Sequence, residues 1–219
     1  FTGGYDINTI LFYPGLCDKN EVEKWSSKTQ LIEVSKEVFK KLAYRDGTEG
    51  VIAVAKAKSL GLANLYLGEN PLVLVVQSIE KPGNIGAILR TADAANIDAV
   101  IIADPICDIY NPNVIRSSVG CLFTNQVVTT NSGEAIKFLE ENKINIYCAS
   151  LQSAICYDTK DYKNASAFIV GNEAGGLSEM WRNSIFQHIT IPMQGEIDSM
   201  NVSVSAAILI FEAKRQRGF

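Results

Sequence analysis

The chain has 219 residues, 47% of them hydrophobic and 20% charged, with a formal net charge of −4. That length can bury a substantial core without staples, and no apolar run approaches the roughly 20 residues that span a bilayer. The acidic balance argues against a protein that coats nucleic acid by charge alone. The five cysteines are odd in number and irregular in spacing, with no C-x-x-C pair. A disulfide framework and a structural zinc site are therefore not expected, and a reducing cytoplasm is the expected setting. His188 is the only histidine, which excludes an H-E-x-x-H site, and its place just before the apolar run Ile189 to Ile191 reads as a strand-edge or packing role rather than that of a triad base.

In chain order, Asn8 to Tyr13 and Gln30 to Val34 read as short strands, with a helix from Lys19 to Ser26 between them. Ser35 is the expected N-cap of a helix from Lys36 to about Ala43, with Glu37 and Lys41 spaced to pair at i,i+4. Val51 to Ala55 is a further strand. This αβ pattern lacks an opening strand and helix, and Phe1 is not an initiator methionine, so the natural chain is expected to begin earlier. Positive charge gathers at Lys36, Lys40, Lys41, Arg45, Lys56 and Lys58, and again at Lys214, Arg215 and Arg217. Each cluster equally suits a solvated helix face or a helix C-terminus. The stretch Ala57 to Asn70, with two glycines and Pro71 behind it, reads as a connection.

From Leu72 the pattern becomes regular. Strands are expected at Leu72 to Gln77, Ala99 to Ala103, Gln126 to Thr129, Ile144 to Ala149, Phe168 to Val170 and Ile189 to Ile191. Between them come a Pro82-Gly83-Asn84 turn with a helix from about Ile85 to Ala95, and a short helix from Asn113 to Ser118. A helix capped by Ser132, a short helix near Ser178 and a final helix from Val202 to about Arg215 complete the pattern. Strands alternating with helices imply an α/β fold, a mainly parallel sheet covered on both faces. Ligands of such sheets bind beyond the carboxyl ends of the strands.

Three strings sit at those ends. Asn84-Ile85-Gly86 with Arg90 brings a planar, permanently charged fork suited to phosphate. Its bland alternative is a turn asparagine and an exposed helix arginine. Gly171-Asn172-Glu173-Ala174-Gly175-Gly176 puts three glycines where the backbone can approach a ligand closely. It is neither G-x-G-x-x-G nor a P-loop, and a carboxylate at Glu173 would repel phosphate, though it suits a hydroxyl or a positive group. Ile191-Pro192-Met193 is followed by Met200-Asn201-Val202-Ser203 at the start of the last helix, where capping accounts for one polar residue only.

Together these strings resemble the motifs of the SpoU (TrmH-type) family of RNA ribose methyltransferases, within the knotted SPOUT class. The resemblance runs from Leu72 to the C-terminus in the family's order. Residues 1–58 resemble part of the small RNA-binding αβ domain that often precedes the catalytic one, and 59–71 would be the linker. The resemblance implies a C-terminal deep trefoil knot, against the general rule for folds, a homodimer, and S-adenosyl-L-methionine as methyl donor with no metal. It assigns Gly171, Asn172, Ile191, Met193 and Met200 to the donor, with Ser150 and Leu151 as further contacts. Met200 replaces the family's usual leucine, a volume-conserving change, and Ser205 stands where alanine is common. Arg90, Asn84, Glu173, Asn201 and Ser203 would carry the chemistry. Family proposals make the motif-one arginine the base, but a guanidinium with a pKa above 12 is better suited to stabilising a developing alkoxide. Ribosomal RNA is the expected substrate. Transfer RNA, a non-catalytic RNA-binding protein on the same fold, and a nucleotide-dependent oxidoreductase are the alternatives.

Overall fold

A computed structural model describes residues 3–25, 29–44, 49–151, 154–172, 175–183 and 185–219. The chain divides into two compact units, 1–59 and 60–219.

The first unit is a three-stranded sheet with two helices. Its elements are β1 (Ile7–Phe12), α1 (Lys19–Lys24), β2 (Gln30–Glu33), α2 (Lys36–Leu42) and β3 (Val51–Ala55). β1 lies centrally, parallel to β2 and antiparallel to β3. Its small core is Ile10, Phe12 and Val22. Ser35 caps α2 by accepting from the Val38 N–H at 3.4 Å. The expected Glu37–Lys41 pair does not form. The Glu37 carboxylate turns instead to its own backbone N–H and to the Ser35 hydroxyl, which hold it below the usual carboxylate range. The i,i+4 ion pair of this unit is Lys19–Glu23 in α1, at 3.9 Å. Arg45, from the expected basic cluster, lies outside the described residues.

The second unit contains β4 (Leu72–Gln77), α3 (Pro82–Ala94), β5 (Ala99–Ala103), α4 (Pro112–Ser118), α5 (Cys121–Thr124), β6 (Val127–Thr130) and α6 (Ser132–Glu141). There follow β7 (Asn145–Ala149), β8 (Ile155–Cys156), β9 (Ser166–Val170), β10 (Gln187–Thr190) and α7 (Val202–Arg217). The seven strands form one sheet in the order β6-β5-β4-β9-β7-β10-β8, and every recorded pairing is parallel. Two later strands enter between earlier ones: β9 between β4 and β7, and β10 between β7 and β8.

β4 shows why its sequence is an unbroken apolar run. Leu72, Leu74 and Val76 pack on one face with Ile88 and Leu89 of α3 and Leu209 and Ile210 of α7. Val73 and Val75 pack on the other with Leu139 of α6 and Trp181. Period-two alternation with both faces covered leaves no polar position from Leu72 to Val76; Gln77 is the polar exception at the strand's end. The segment read as a connection contributes to these layers, since Leu60 packs on the first face and Leu62, Leu65 and Leu67 on the second.

Several local expectations change. α3 begins at Pro82, not Ile85, because proline suits the first helical position, where the missing N–H costs nothing. Asn84 and Gly86 thus lie inside the first turns of the helix. Gly86 is forced by packing: a Cβ there would stand 1.9 Å from the Ser117 hydroxyl and 2.6 Å from its Cβ, where α4 crosses α3. Asn131, not Ser132, caps α6, accepting from the Glu134 N–H at 2.9 Å. No helix forms near Ser178 among the described residues, where the chain makes turns. β10 starts two residues before the expected strand and ends one residue before it, and α5 and β8 are too short to read from pattern.

The C-terminal basic cluster serves the fold. Arg215 pairs with Glu212 at 2.8 Å. Arg217 is a clamp whose guanidinium donates to the carbonyls of Tyr162, Asn70 and Asn164 at 2.8, 2.7 and 2.6 Å. It thereby ties the end of α7 to the segments entering β4 and β9. Charged donors on carbonyls contribute more than neutral ones, so Arg217→Ala is expected to lower stability by about 2–3 kcal/mol. Urea denaturation measures this, and an unchanged midpoint would remove the clamp's importance.

Candidate functional site

The carboxyl ends of β9, β7 and β10 surround a hollow of about 420 Å3. That volume lies within the roughly 300–1,000 Å3 of small-molecule sites. Six residues expected to hold the donor line it: Leu151 after β7, Gly171 and Asn172 after β9, Ile191 and Met193 after β10, and Met200 before α7. Ser150 and Ser205 line it as well. Sequence reasoning missed Thr190, Asp198 and Arg182, which with Ser199 supply polar lining. Their position beyond strand ends was the only signal that could have pointed to them. Val170, Ile189, Ile191, Met193 and Met200 give an apolar wall, and Asp198 places a carboxylate in the same hollow. An apolar wall beside one acidic group fits a ligand that joins an aromatic base to a positive centre.

The glycine turn is held from three sides. Asn172 and Gly176 exchange backbone hydrogen bonds at 3.1 and 2.9 Å, with Gly176 at φ +64°. The Asn172 amide donates to the Ser78 carbonyl at 2.9 Å and the Glu80 carboxylate at 3.0 Å, and its oxygen accepts from the Gly175 N–H at 3.2 Å. Arg182 donates to the Gly175 carbonyl at 2.9 Å. Asn172 therefore builds the turn as well as bordering the hollow. Glu173 lies outside the described residues.

The first and third motifs meet through one amide. The Asn201 oxygen caps α7, accepting from the Ser203 N–H at 2.9 Å and the Ser203 hydroxyl at 2.6 Å. The Asn201 nitrogen donates to the buried Asn84 oxygen at 3.1 Å. Three residues expected in the chemistry are thus one hydrogen-bonded chain joining the start of α3 to the start of α7. Arg90 stands apart. It is exposed on the α3 face that also carries Gly83 and Asp93, and it does not line the hollow. Cys121 of α5 feels its charge: burial and the Asp93 carboxylate push that thiol up, and Arg90 opposes them.

Beside the hollow lies a polar cluster that pattern reading did not reveal. Gln77 ends β4 and Asp104 follows β5 in left-handed backbone, at φ +49°. The Asp104 carboxylate accepts from the Ser132 N–H at 2.9 Å, the Ser132 hydroxyl and the Gln77 amide at 3.1 Å. Burial alone would raise its pKa, but these hydrogen bonds outweigh that and hold it below the usual aspartate range. A carboxyl so depressed stabilises the fold above its unfolded pKa, and the contribution fades as pH falls through the folded value. The stability gap between parent and Asp104→Asn is therefore expected to be full at neutral pH. It should close well below about pH 3.9, the ordinary aspartate value. Denaturant titrations at a series of pH values measure it, and a gap that never narrows in acid would contradict the assignment.

His188 sits within β10, its Nε2 3.2 Å from the Asn183 carbonyl and its Nδ1 buried without a partner. All five cysteines are free, and burial pushes the Cys148 thiol up to about 12. Among the described residues no group of His, Cys, Asp and Glu is placed to hold a metal ion, and no helix is long and apolar enough to cross a membrane.

Comparison with known proteins places these features. The SpoU rRNA Methylase family matches residues 71–211, and the MRM3-like substrate binding domain matches residues 1–53. The chain is 33% identical to the 23S rRNA (guanosine(2553)-2'-O)-methyltransferase RlmP of Bacillus subtilis, over 65% of this chain and 57% of that protein. It is 29% identical to the 23S rRNA (uridine(2479)-2'-O)-methyltransferase of Streptomyces viridochromogenes, over 98% of this chain and 78% of the other. The crystal structure of the SpoU methyltransferase AviRb from Streptomyces viridochromogenes, in complex with the cofactor AdoMet, superposes with a TM-score of 0.87. Its sequence identity is 27%, over 98% of this chain and 85% of that one.

Proposed function

The chain belongs to the SpoU rRNA methylase family, and from that premise we propose that it methylates a ribose 2′-hydroxyl of ribosomal RNA, using S-adenosylmethionine. The observation that carries the reading is the hollow in which Leu151, Gly171, Asn172, Ile191, Met193 and Met200 converge. The relatives named above act on 23S rRNA at ribose 2′-oxygens, and the AviRb structure holds the donor.

When bound, S-adenosylmethionine supplies an activated methyl group on a sulfonium, which departs as a neutral thioether. The chain's own contribution is placement and electrostatics. The apolar wall and the glycine turn would hold the donor's base, and the Asp198 carboxylate suits its positive charge. Asn84, Asn201 and Ser203 act as a brace that fixes the start of α7 against α3. In-line placement of a hydroxyl and a methyl group is orientation catalysis, which such bracing serves. Arg90 stabilises the alkoxide that develops as the 2′-hydroxyl loses its proton to solvent water, and Glu173 orients the ribose.

The resemblance also brings a knot and a dimer, both part of the proposal. The entry of β10 between β7 and β8 is the strand order that a threaded C-terminal segment requires. Val204 and Phe211 remain exposed on one stripe of α7, with Ile208 half-buried between them, which suits packing against a second copy. Arg90, absent from the lining of its own hollow, fits delivery across such an interface. Residues 1–58 would receive the RNA, and 72–219 would carry the chemistry.

The test supplies labelled S-adenosylmethionine with ribosomal or transfer RNA and maps the modified nucleotide. A 2′-O-methyl product in ribosomal RNA is expected. A methylated base would end the mechanism, and a product confined to transfer RNA would end the substrate assignment. Tight donor binding without turnover on either RNA would support a non-catalytic binder instead.

A further inference from the structure

The glycine turn that borders the hollow does not rest on its own hydrogen bonds alone. Its far end, Ser178, is joined to Gln77, 101 residues earlier. The Ser178 N–H donates to the Gln77 oxygen at 2.9 Å, and the Gln77 nitrogen donates to the Ser178 hydroxyl at 2.8 Å. The same nitrogen reaches the Asp104 carboxylate at 3.1 Å and the Ser132 hydroxyl at 3.3 Å. The Ser132 hydroxyl donates to the Asp104 carboxylate and accepts from the fully buried Trp181 indole at 2.8 Å. Gln77 and Ser132 are themselves buried.

This cluster is strictly directional. Asp104 can only accept, and the Trp181 indole can only donate, so both amide ends of Gln77 have assigned partners. An amide buried at a strand end is an expensive way to fill space, because each polar atom must be matched. A leucine would pack there without that demand. The amide supplies register instead, since it ties the turn's last residue to the ends of β4 and β5 and to the first residue of α6. Asn172 ties the turn's other end to Ser78 and Glu80, just beyond Gln77.

We propose that Gln77, read with Asp104 as one amide–carboxylate pair, is a positioning residue for the methyl-donor hollow. It sets the place of the turn's described residues, Gly171, Asn172 and Gly175 to Ser178, and hence the affinity for S-adenosylmethionine. The inference rests on the donor reading given above. It assigns no chemistry to Gln77, which touches the turn rather than the reacting atoms.

The cluster's polarity offers a test that packing alone would not satisfy. Gln77→Glu sets two carboxylates face to face, and Asp104→Asn sets two amides face to face. Combining them exchanges the groups. The new amide at 104 donates to the new carboxylate at 77, the Ser132 and Ser178 hydroxyls reverse their protons, and the Ser178 N–H keeps its acceptor. Donor affinity is measured calorimetrically on the full chain, well below each variant's melting temperature, together with kcat and KM for S-adenosylmethionine. Each single change is expected to weaken donor binding about tenfold, with KM rising and kcat at saturating donor largely kept. The exchange should recover most of that loss, a coupling of the size seen between contacting residues. In a Trp25→Phe background, Trp181 emission should shift in both single variants and return in the exchange.

Single variants that melt earlier but bind the donor like the parent would overturn the inference. So would an exchange that restores melting without restoring affinity. If Gln77→Glu does not fold, Ser178→Ala removes only the exposed hydroxyl of the turn. It should weaken the donor severalfold, and parent-like affinity there would also overturn the inference. A parent chain that binds no donor would remove the functional reading and this inference together. A parent that binds while the variants match it removes this inference alone.

Discussion

Arg90→Ala is expected to reduce methyl transfer by about 10²–10³-fold, the scale of losing one preorganised charge at a developing oxyanion, while leaving donor affinity unchanged. The side chain is exposed on α3 and does not line the hollow, so its removal empties no core position and no donor contact. Its removal also takes away the charge that pulls the Cys121 thiol down against burial and Asp93. Arg90→Lys should recover little, because a point charge does not reproduce the planar fork. The paired measurements are donor binding by calorimetry and turnover on the RNA that the parent modifies. Turnover near the parent's would remove Arg90 from the mechanism. Mixing Arg90→Ala chains with Gly171→Ala chains adds a test of the dimer. If the arginine works across a subunit interface, mixed dimers regain activity in the sites that pair an intact hollow with an intact arginine.

Gly171→Ala is expected to lower donor affinity by about a hundredfold or more, equivalent to roughly 2.7 kcal/mol. A Cβ at this position would lie 2.4 Å from the Gly176 carbonyl carbon and oxygen and 2.6 Å from the Leu177 nitrogen. All three are backbone atoms, so no side-chain rotation relieves the clash. The turn must open, breaking the paired hydrogen bonds between Asn172 and Gly176 and moving the edge of the hollow. Overpacking of this kind also costs about 1–3 kcal/mol of stability. Gly195→Ala is the control, because a Cβ there meets nothing within 4 Å and the residue does not line the hollow. Donor binding by Gly171→Ala within a few-fold of the parent would show that the turn's closure does not shape the site.

Much of the site was legible because glycine, proline and asparagine carry their backbone requirements in their identity. Gly171 had to lie at a close approach, and the turn at Gly176 needed positive φ. Pro82 was misread as part of a turn because proline serves both turns and the first position of helices, and spacing alone cannot separate the two. Ser132 was misread as a cap for a similar reason. Its hydroxyl had another buried partner, the Asp104 carboxylate, and Asn131 took the capping role. Gln77 read as the polar end of an apolar strand, because its partners Ser178, Asp104 and Ser132 lie 27 to 101 residues away.

The sequence by itself determined the alternation of strands and helices and the double-sided burial of β4, which follow from local periodicity. The six residues that line the hollow were named through the family resemblance of their motifs, not by periodicity. The tertiary structure alone decided that β9 and β10 enter between earlier strands, that Arg217 clamps the end of α7 to the segments entering β4 and β9 and that Arg90 does not line its own hollow. It alone decided which acceptors a buried amide finds. Strand order and buried hydrogen-bond partners depend on contacts between distant segments, and no local pattern in the chain encodes them.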